Sequence, residues 1–348
     1  MTGGQDLRAL LGGYSEAVAG ELRAAAATRH DLGSFYGMLH YHMGWVDSSF
    51  APEAGSSGKG LRSAFCLLCC EVCGGQQDDA LSVAAAIDLL HNFSLIHDDI
   101  EDNSDTRRHR RTVWSLWGAP QGINLGDGVF ALAMLAFFRS PLVERDPARF
   151  LTLQREAQET ILTLAEGQYL DISFETRLQV SAAEYLAMIE RKSAALIAYA
   201  AWAGATAAGA PPATCAALRA FGRELGLAFQ IRDDLLGIWG DEAVTGKSRA
   251  SDILSRKKTL PVVLAFDNAD PEQARRLRSI YGSADPIDDD TLAAVLALLE
   301  ATGAHALAGE RLAQHRRAAE EALGQAGLSG APTALLMEFA QTLVERAS

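Results

Sequence analysis

The sequence predicts an all-α protein folded as a single large helical bundle, and three observations carry that prediction. Long proline-free segments place apolar residues at intervals of three and four, as in ALSVAAAIDLLHNFSLI (80–96) and SAALIAYAAWAGATAAG (193–209). Alanine, the strongest helix former, is abundant in them. No segment alternates apolar and polar residues in the manner of a half-buried strand.

The expected helices are separated by breakers: Gly55 to Gly60, Gly74-Gly75, Gly118 to Pro120, Gly209 to Pro212, Gly240 to Ser251, Asn268 to Pro271, Gly282 to Asp290 and Gly327 to Pro332. Between the first two breaks lies CLLCCEVC, with cysteines at 66, 69, 70 and 73. Helical spacing puts these thiols largely on one face, where small side chains pack well, and no histidine stands nearby in sequence. A packed helix is expected there. A helix is then expected from about Ala80 to Asp102. Two more, over 184–208 and 213–236, are apolar almost all round and belong in a core. Near 285–291, DPIDDDT follows a break, so Asp288 to Asp290 favour a helix N-terminus and receive no chemistry. No composition shift marks a linker and no period of 20 to 50 residues indicates a solenoid, so residues 1–348 read as one domain.

Of the 348 residues, 49% are apolar, which can supply a sizeable core. The formal net charge of -13 argues against a general nucleic-acid binder, whose affinity is built from excess Lys and Arg. Any anionic ligand must be bound locally or through metal. No apolar run reaches the ~20 residues that span a bilayer, and the N-terminus lacks a basic region followed by an apolar core. A cytoplasmic protein without a stable membrane anchor is the expectation.

Two acidic motifs stand out. LIHDDIEDNSDTRRHRR (95–111) gathers Asp98, Asp99, Glu101, Asp102 and Asp105, then Arg107, Arg108, Arg110 and Arg111. On a continuing helix Asp98 and Asp102 are i and i+4 and share a face, with His91 two turns earlier. Carboxylates so spaced can hold Mg²⁺, which takes oxygen ligands and keeps water and substrate phosphate in its other positions. Alone, such an acidic turn reads equally well as a solvated helix end. FQIRDDLLGIWGD (229–241) supplies a second pair, Asp233 and Asp234, directly after the apolar run LGLAF. Carboxylates at the end of a buried helix need partners. Arg107 and Arg108 can pair with diphosphate oxygens in forked geometry, and Lys59, Arg62, Lys192, Lys247 and Lys257 stand in short polar segments beside apolar helices.

GKGLRS (58–63), HNFSLIHDDIEDNSDTRR (91–108), GQYLD (167–171), RKSAALIAYAAWAGA (191–205), FQIRDDLLGIWGD and TGKSRASDILSRKKTLP (245–261) occur in this order. Together they resemble the trans-isoprenyl diphosphate synthases, or polyprenyl synthetases, most of all the bacterial geranylgeranyl and farnesyl diphosphate synthases. The resemblance implies an all-α bundle around a central cavity, a homodimer, and two aspartate motifs facing each other across the cavity mouth. It implies that Asp98, Asp99, Asp102, Asp233 and Asp234 hold Mg²⁺, with three ions expected, on an allylic diphosphate. Arg107 would grip the same diphosphate, with Lys192, Lys247 and Lys257 adding positive charge. Lys59, Arg62, His91 and Arg108 match the family's site for isopentenyl diphosphate. Ser193 and Gln230 match positions whose oxygens face the allylic cation. The sequence departs from the family pattern at Gly237, where a third aspartate is common, at Gly60 and Ser63, and at Arg111, where proline is usual.

In this family, product length is limited by bulk below the first motif. Phe93 lies five residues before Asp98, roughly 7.5 Å down the helix axis and about 140° away around it. Ser94 and Leu95 lie more directly under Asp98, so geometry alone does not choose Phe93 and an ordinary core aromatic remains open. The resemblance selects it, since an aromatic here looks like short-chain synthases, and geranylgeranyl diphosphate is the expected product, with farnesyl diphosphate next. Two alternatives share parts of this pattern. A class I terpene cyclase ionises a single allylic diphosphate and has no need of Lys59, Arg62 and His91. A non-catalytic partner subunit often lacks motif aspartates, and here only Gly237 points that way.

Overall fold

The computed structural model describes residues 3–27, 32–53, 60–240 and 250–345. Its helices are α1 (Gly3–Ala26), α2 (Gly33–His42), α3 (Leu61–Val72), α4 (Gln77–Glu101), α5 (Val113–Trp117), α6 (Ala119–Phe137), α7 (Leu142–Arg145) and α8 (Pro147–Glu175). They continue as α9 (Ala182–Ile189), a π-helical turn (Glu190–Ala194), α10 (Ala195–Ala207), α11 (Pro212–Trp239), α12 (Ser251–Leu254), α13 (Leu260–Asn268), α14 (Pro271–Tyr281), α15 (Asp289–Ala301), α16 (Ala304–Gly324) and α17 (Ala331–Glu345). Among the described residues the all-α expectation holds apart from a short antiparallel hairpin of β1 (Thr106–Arg107) and β2 (Arg110–Arg111) and an isolated antiparallel bridge between Val46 and Pro52.

The chain sorts into two compact units, one of Met1–Ile161, Tyr199–Leu218 and Leu328–Glu338, the other of Leu162–Ala198, Arg219–Gly327 and Phe339–Ser348. In the first, α4 packs against α6, α3 and α1. Ala84, Ala85, Ala86, Ile87 and Leu90 of α4 are fully buried, as are Leu125 and Val129 of α6. By length and composition α4 could cross a membrane, but 61% of its apolar window is buried inside the protein, as in a core helix. The cysteine helix packs as expected. Cys66, Cys69 and Cys70 are free thiols with no exposure, and burial pushes all three thiols up. Gly204 of α10 lets the backbones close: a Cβ there would lie 2.0 Å from the Cys66 carbonyl oxygen. A thiol reagent added to the native protein is therefore expected to leave 66, 69 and 70 unmodified until denaturant is present, as read by mass spectrometry.

In the second unit, Phe174, Tyr185, Met188, Ile231, Leu235 and Leu264 form one core cluster. The helix expected over 184–208 is broken into α9, the π turn and α10. Such turns are rare and recur at functional sites. Two glycines make room for this one: a Cβ on Gly167 would meet the Lys192 backbone nitrogen at 2.3 Å, and one on Gly226 the Ala194 Cα at 2.6 Å. Helix starts follow side-chain capping. Ser181 and Glu184 cap α9 reciprocally, and Asp288 accepts from the Thr291 N–H at 2.8 Å to start α15, the capping role read from DPIDDDT.

Candidate active site

In the first unit the site grows from the C-terminal end of α4. The helix ends at Glu101, and the Asp102 N–H still donates to the Asp98 carbonyl at 2.8 Å, so Asp98 and Asp102 stand one turn apart as the spacing implied. Asn103, at φ 51°, turns the chain out. Carboxylates here are electrostatically disfavoured, because a helix C-terminus carries partial negative charge. Compensation comes from Arg107, whose Nε donates to Asp99 Oδ1 at 2.7 Å and whose Nη2 donates to Asp98 Oδ2 at 3.1 Å. Asp99 is buried, which pushes its carboxyl up to about 6; Arg107 opposes the shift, while Asp98 and Asp102 add to it.

The hairpin that delivers Arg107 was not legible as strands. Arg108 (φ 51°) and His109 (φ 61°) both adopt left-handed backbone, the pattern of a type I′ turn, without the Asn-Gly or Asp-Gly that announces one. Tertiary anchors hold it instead. The Arg110 guanidinium lies 4.1 Å from the Tyr41 ring centre, donates to the carbonyls of Tyr41 (3.1 Å) and Val46 (2.6 Å), and pairs with Glu53 at 3.2 Å. The Tyr41 hydroxyl donates to the Arg111 carbonyl at 2.8 Å. Arg110 thus has a structural role for which its sequence context gave no sign.

A cavity of about 300 Å³ opens beside this cluster. Its polar wall contains Arg62 of α3, Asp88, His91 and Asn92 of α4, and Arg108 of the hairpin. Arg62 Nη1 lies 3.0 Å from His91 Nε2, so the imidazole accepts and is held neutral; burial, with Arg62 adding, keeps His91 well below its ordinary pKa. Burial lowers the Arg62 guanidinium to about 10. Arg62, His91 and Arg108, grouped by the sequence, are therefore brought together. Lys59 lies outside the described residues, as does Lys247.

Phe93 is packed among aromatics, 5.3 Å from the His97 ring and 5.4 Å from Phe130 of α6 between centroids. His97 is seated over Gly126, where a Cβ would lie 2.1 Å from its Nε2.

In the second unit a hydrogen-bonded chain links Ser193, Gln230 and Asp234. The Ser193 hydroxyl donates to Gln230 Oε1 at 2.7 Å, and Gln230 Nε2 donates to Asp234 Oδ1 at 3.1 Å. Asp234 Oδ2 accepts from the Tyr185 hydroxyl at 2.6 Å and from the Leu260 N–H at 3.1 Å. Asp234 is buried, and burial pushes its carboxyl up to about 7 against those three donors. A carboxylate has about four lone-pair positions, so Asp234 keeps little capacity for a metal, whereas Asp233 beside it is half-buried. Lys192, on the π turn, donates to Asp171 Oδ2 at 2.5 Å. Lys257 is exposed, and its N–H donates to the Asp252 carbonyl at 2.8 Å. Gly237 has a spatial explanation: a Cβ there would stand 2.0 Å from Asp252 Oδ2, so the Asp252 carboxylate fills the place of the absent side chain. Tyr185, Asp171 and Asp252 were not singled out by sequence. Asp171 and Asp252 lie inside segments that carry the family resemblance, which was the available signal.

Among the described residues no three His, Cys, Asp or Glu side chains form a ready-made metal cage. The donor set nevertheless suits Mg²⁺, which is bound through one or two carboxylates with substrate phosphate completing its shell. Asp98, Asp99 and Asp102 offer only oxygen, and their mutual repulsion at a helix C-terminus is what a divalent cation would relieve.

Comparison with known proteins supplies the context. The family model described as polyprenyl synthetase matches residues 44–299. A (2E,6E)-farnesyl diphosphate synthase of Mycobacterium tuberculosis is 39% identical over 312 residues, 89% of this chain and 85% of that one. A geranylgeranyl diphosphate synthase of the same organism is 40% identical over 313 residues, 90% of this chain and 85% of that one. The crystal structure of a polyprenyl synthetase from Streptomyces coelicolor A3(2) superposes with a TM-score of 0.89 at 35% identity, covering 97% of this chain and 99% of that one.

Proposed function

The chain belongs to the polyprenyl synthetase family, and from that premise we propose that it is a short-chain trans-prenyltransferase, joining isopentenyl diphosphate to an allylic diphosphate with Mg²⁺ to give geranylgeranyl diphosphate. The observation that carries this reading lies within the first unit: a carboxylate cluster on Arg107 stands beside a separate cationic cavity of Arg62, His91 and Arg108. An enzyme of one diphosphate needs only the first; an enzyme that joins two needs both.

In the first unit Asp98, Asp99 and Asp102 would hold magnesium, three ions being the family pattern, and Arg107 would fork onto the allylic diphosphate; in the second unit Asp233 would serve as a metal ligand. Asp234 contributes chiefly by fixing Gln230 and Tyr185. Magnesium, when bound, neutralises the charge that develops on the departing diphosphate. Lys192, Lys247 and Lys257 add positive charge around the same leaving group. The allylic C–O bond breaks with its electron pair leaving on diphosphate. Ser193 and Gln230 turn oxygen toward the resulting cation, and apolar walls keep water from it. Lys59, Arg62, His91 and Arg108 hold isopentenyl diphosphate so that its double bond attacks. A proton then leaves the neighbouring carbon for the released diphosphate, so no protein base is required. The Asp252 carboxylate beside Gly237 stands in for the third aspartate common in the second motif.

The whole chain acts as one catalytic domain, a reading supported by the continuity of α8, α10 and α11, each of which contributes to both units. A cytoplasmic homodimer is part of the proposal. Support comes from the exposed stripe Ile123, Ala131, Leu135 and Phe138 on and just after α6.

Diphosphate release by the purified chain is expected to require both substrates and Mg²⁺. Release from the allylic diphosphate alone, with a hydrocarbon product, would instead identify a cyclase. Phe93 sets the floor through its packing on Phe130. Phe93→Ala is expected to shift products, read by chromatography of the dephosphorylated alcohols, at least one five-carbon unit longer; unchanged lengths would remove Phe93 from that role.

A further inference from the structure

The charged groups in the 300 Å³ cavity include one that the proposed reaction leaves unused. Asp88 stands on α4 one turn before His91 and Asn92, and all three line the cavity with Arg62 and Arg108. A carboxylate in a site built for a diphosphate repels the ligand the site must hold. Without it, two guanidiniums would share a largely desolvated space with no anion between them, which is also unfavourable. Arg62 Nε is buried and has no hydrogen-bond partner, so the guanidinium is held with donor capacity to spare.

The other charged groups around Asp88 narrow the possibilities. On α1 the cavity wall is Ser15, Val18, Ala19 and Leu22, none of them ionisable. Glu21 is turned instead to Ser82 and Arg139, and Arg23 lies over the Trp45 ring. At the end of α2, His42 is held near pKa 3 by burial with Arg108 adding, so it is neutral, and its ring meets Asn92 Oδ1 at 3.2 Å. On α6, Asp127 faces His97 rather than the cavity. Arg62 and Arg108 are thus the cations that act on Asp88 among the described residues, and His91 is neutral.

We propose that Asp88 is the counter-ion of Arg62 and Arg108 in the substrate-free enzyme, that isopentenyl diphosphate replaces it in that role, and that Asp88 takes up a proton from solvent as the substrate binds. The physical reason is charge. A diphosphate carries more negative charge than a carboxylate and claims both guanidiniums, so an ionised Asp88 is left buried beside an anion, and neutralising it is favourable. The group is poised for this, because burial already pushes the Asp88 carboxyl up to about 6 against the pull of Arg62 and Arg108. The sign is fixed by linkage: a ligand that raises a carboxyl pKa binds with proton uptake and binds more tightly as pH falls toward the free-state pKa.

This inference rests on the assignment of the cavity to isopentenyl diphosphate, and the test separates the two. The intact chain is titrated calorimetrically with isopentenyl diphosphate alone, in buffers of different ionisation enthalpy, beside Asp88→Asn. The wild-type chain is expected to take up about one proton more than the variant, and its Kd to tighten about tenfold more between about pH 8.5 and about pH 6.5. Titration of the diphosphate itself is common to both proteins and cancels. Infrared difference spectra of the wild-type chain provide a check that needs no variant: binding should produce the carbonyl band of a protonated carboxyl. Tight binding with no such band, or equal proton uptake in the two proteins, overturns the role of Asp88. A wild-type chain that fails to bind isopentenyl diphosphate overturns the cavity assignment, and this role with it.

Discussion

Asp98→Ala is expected to lower Mg²⁺-dependent condensation by about a thousandfold, the scale of losing a metal-borne stabilisation of a developing anion, while the protein stays as stable as before. The two effects separate for a structural reason. Asp98 sits where carboxylates repel one another at the negative end of α4. Its ion pair to Arg107, at 3.1 Å, is partly open to solvent, so its loss matters little to folding. Steady-state turnover and a thermal melt on the same preparation measure both quantities. Activity within tenfold of wild type would remove Asp98 from the metal site.

Asp234→Ala is expected to behave differently, losing stability as well as activity. Its removal strands the Tyr185 hydroxyl, the Leu260 N–H and the Gln230 amide inside the protein. Each buried donor left without a partner costs about 1–3 kcal/mol, so a loss on the order of 3 kcal/mol or more in unfolding free energy is expected. Asp233→Ala, in the same motif, should cost activity comparable to Asp98→Ala with little change in stability. Denaturant titrations of the two variants distinguish them. An Asp234→Ala protein as stable as wild type would show that the hydrogen-bonded chain is not what Asp234 serves.

Much of this was written in the sequence, and what was not has identifiable causes. Both motifs were legible because aspartates at helical spacing and an apolar run ending in a carboxylate pair are local signals. Within the first unit, Arg62, His91 and Arg108 do share one cavity. The hairpin was invisible because its left-handed residues are Arg108 and His109, held by the distant Tyr41, Val46 and Glu53. The π turn left no local trace either, since it depends on Gly167 and Gly226, two glycines far apart in sequence that admit neighbouring backbone. Gly237 read as a missing carboxylate. Asp252, fifteen residues later, occupies that space, and only the fold could bring the two together.

The most direct test of the account is product analysis of the purified chain alone with Mg²⁺, isopentenyl diphosphate and an allylic primer. A single prenyl diphosphate, predominantly of twenty carbons and absent when either substrate or Mg²⁺ is withheld, is the predicted result. No product without a second, different chain, or a hydrocarbon formed from the allylic diphosphate alone, would contradict it.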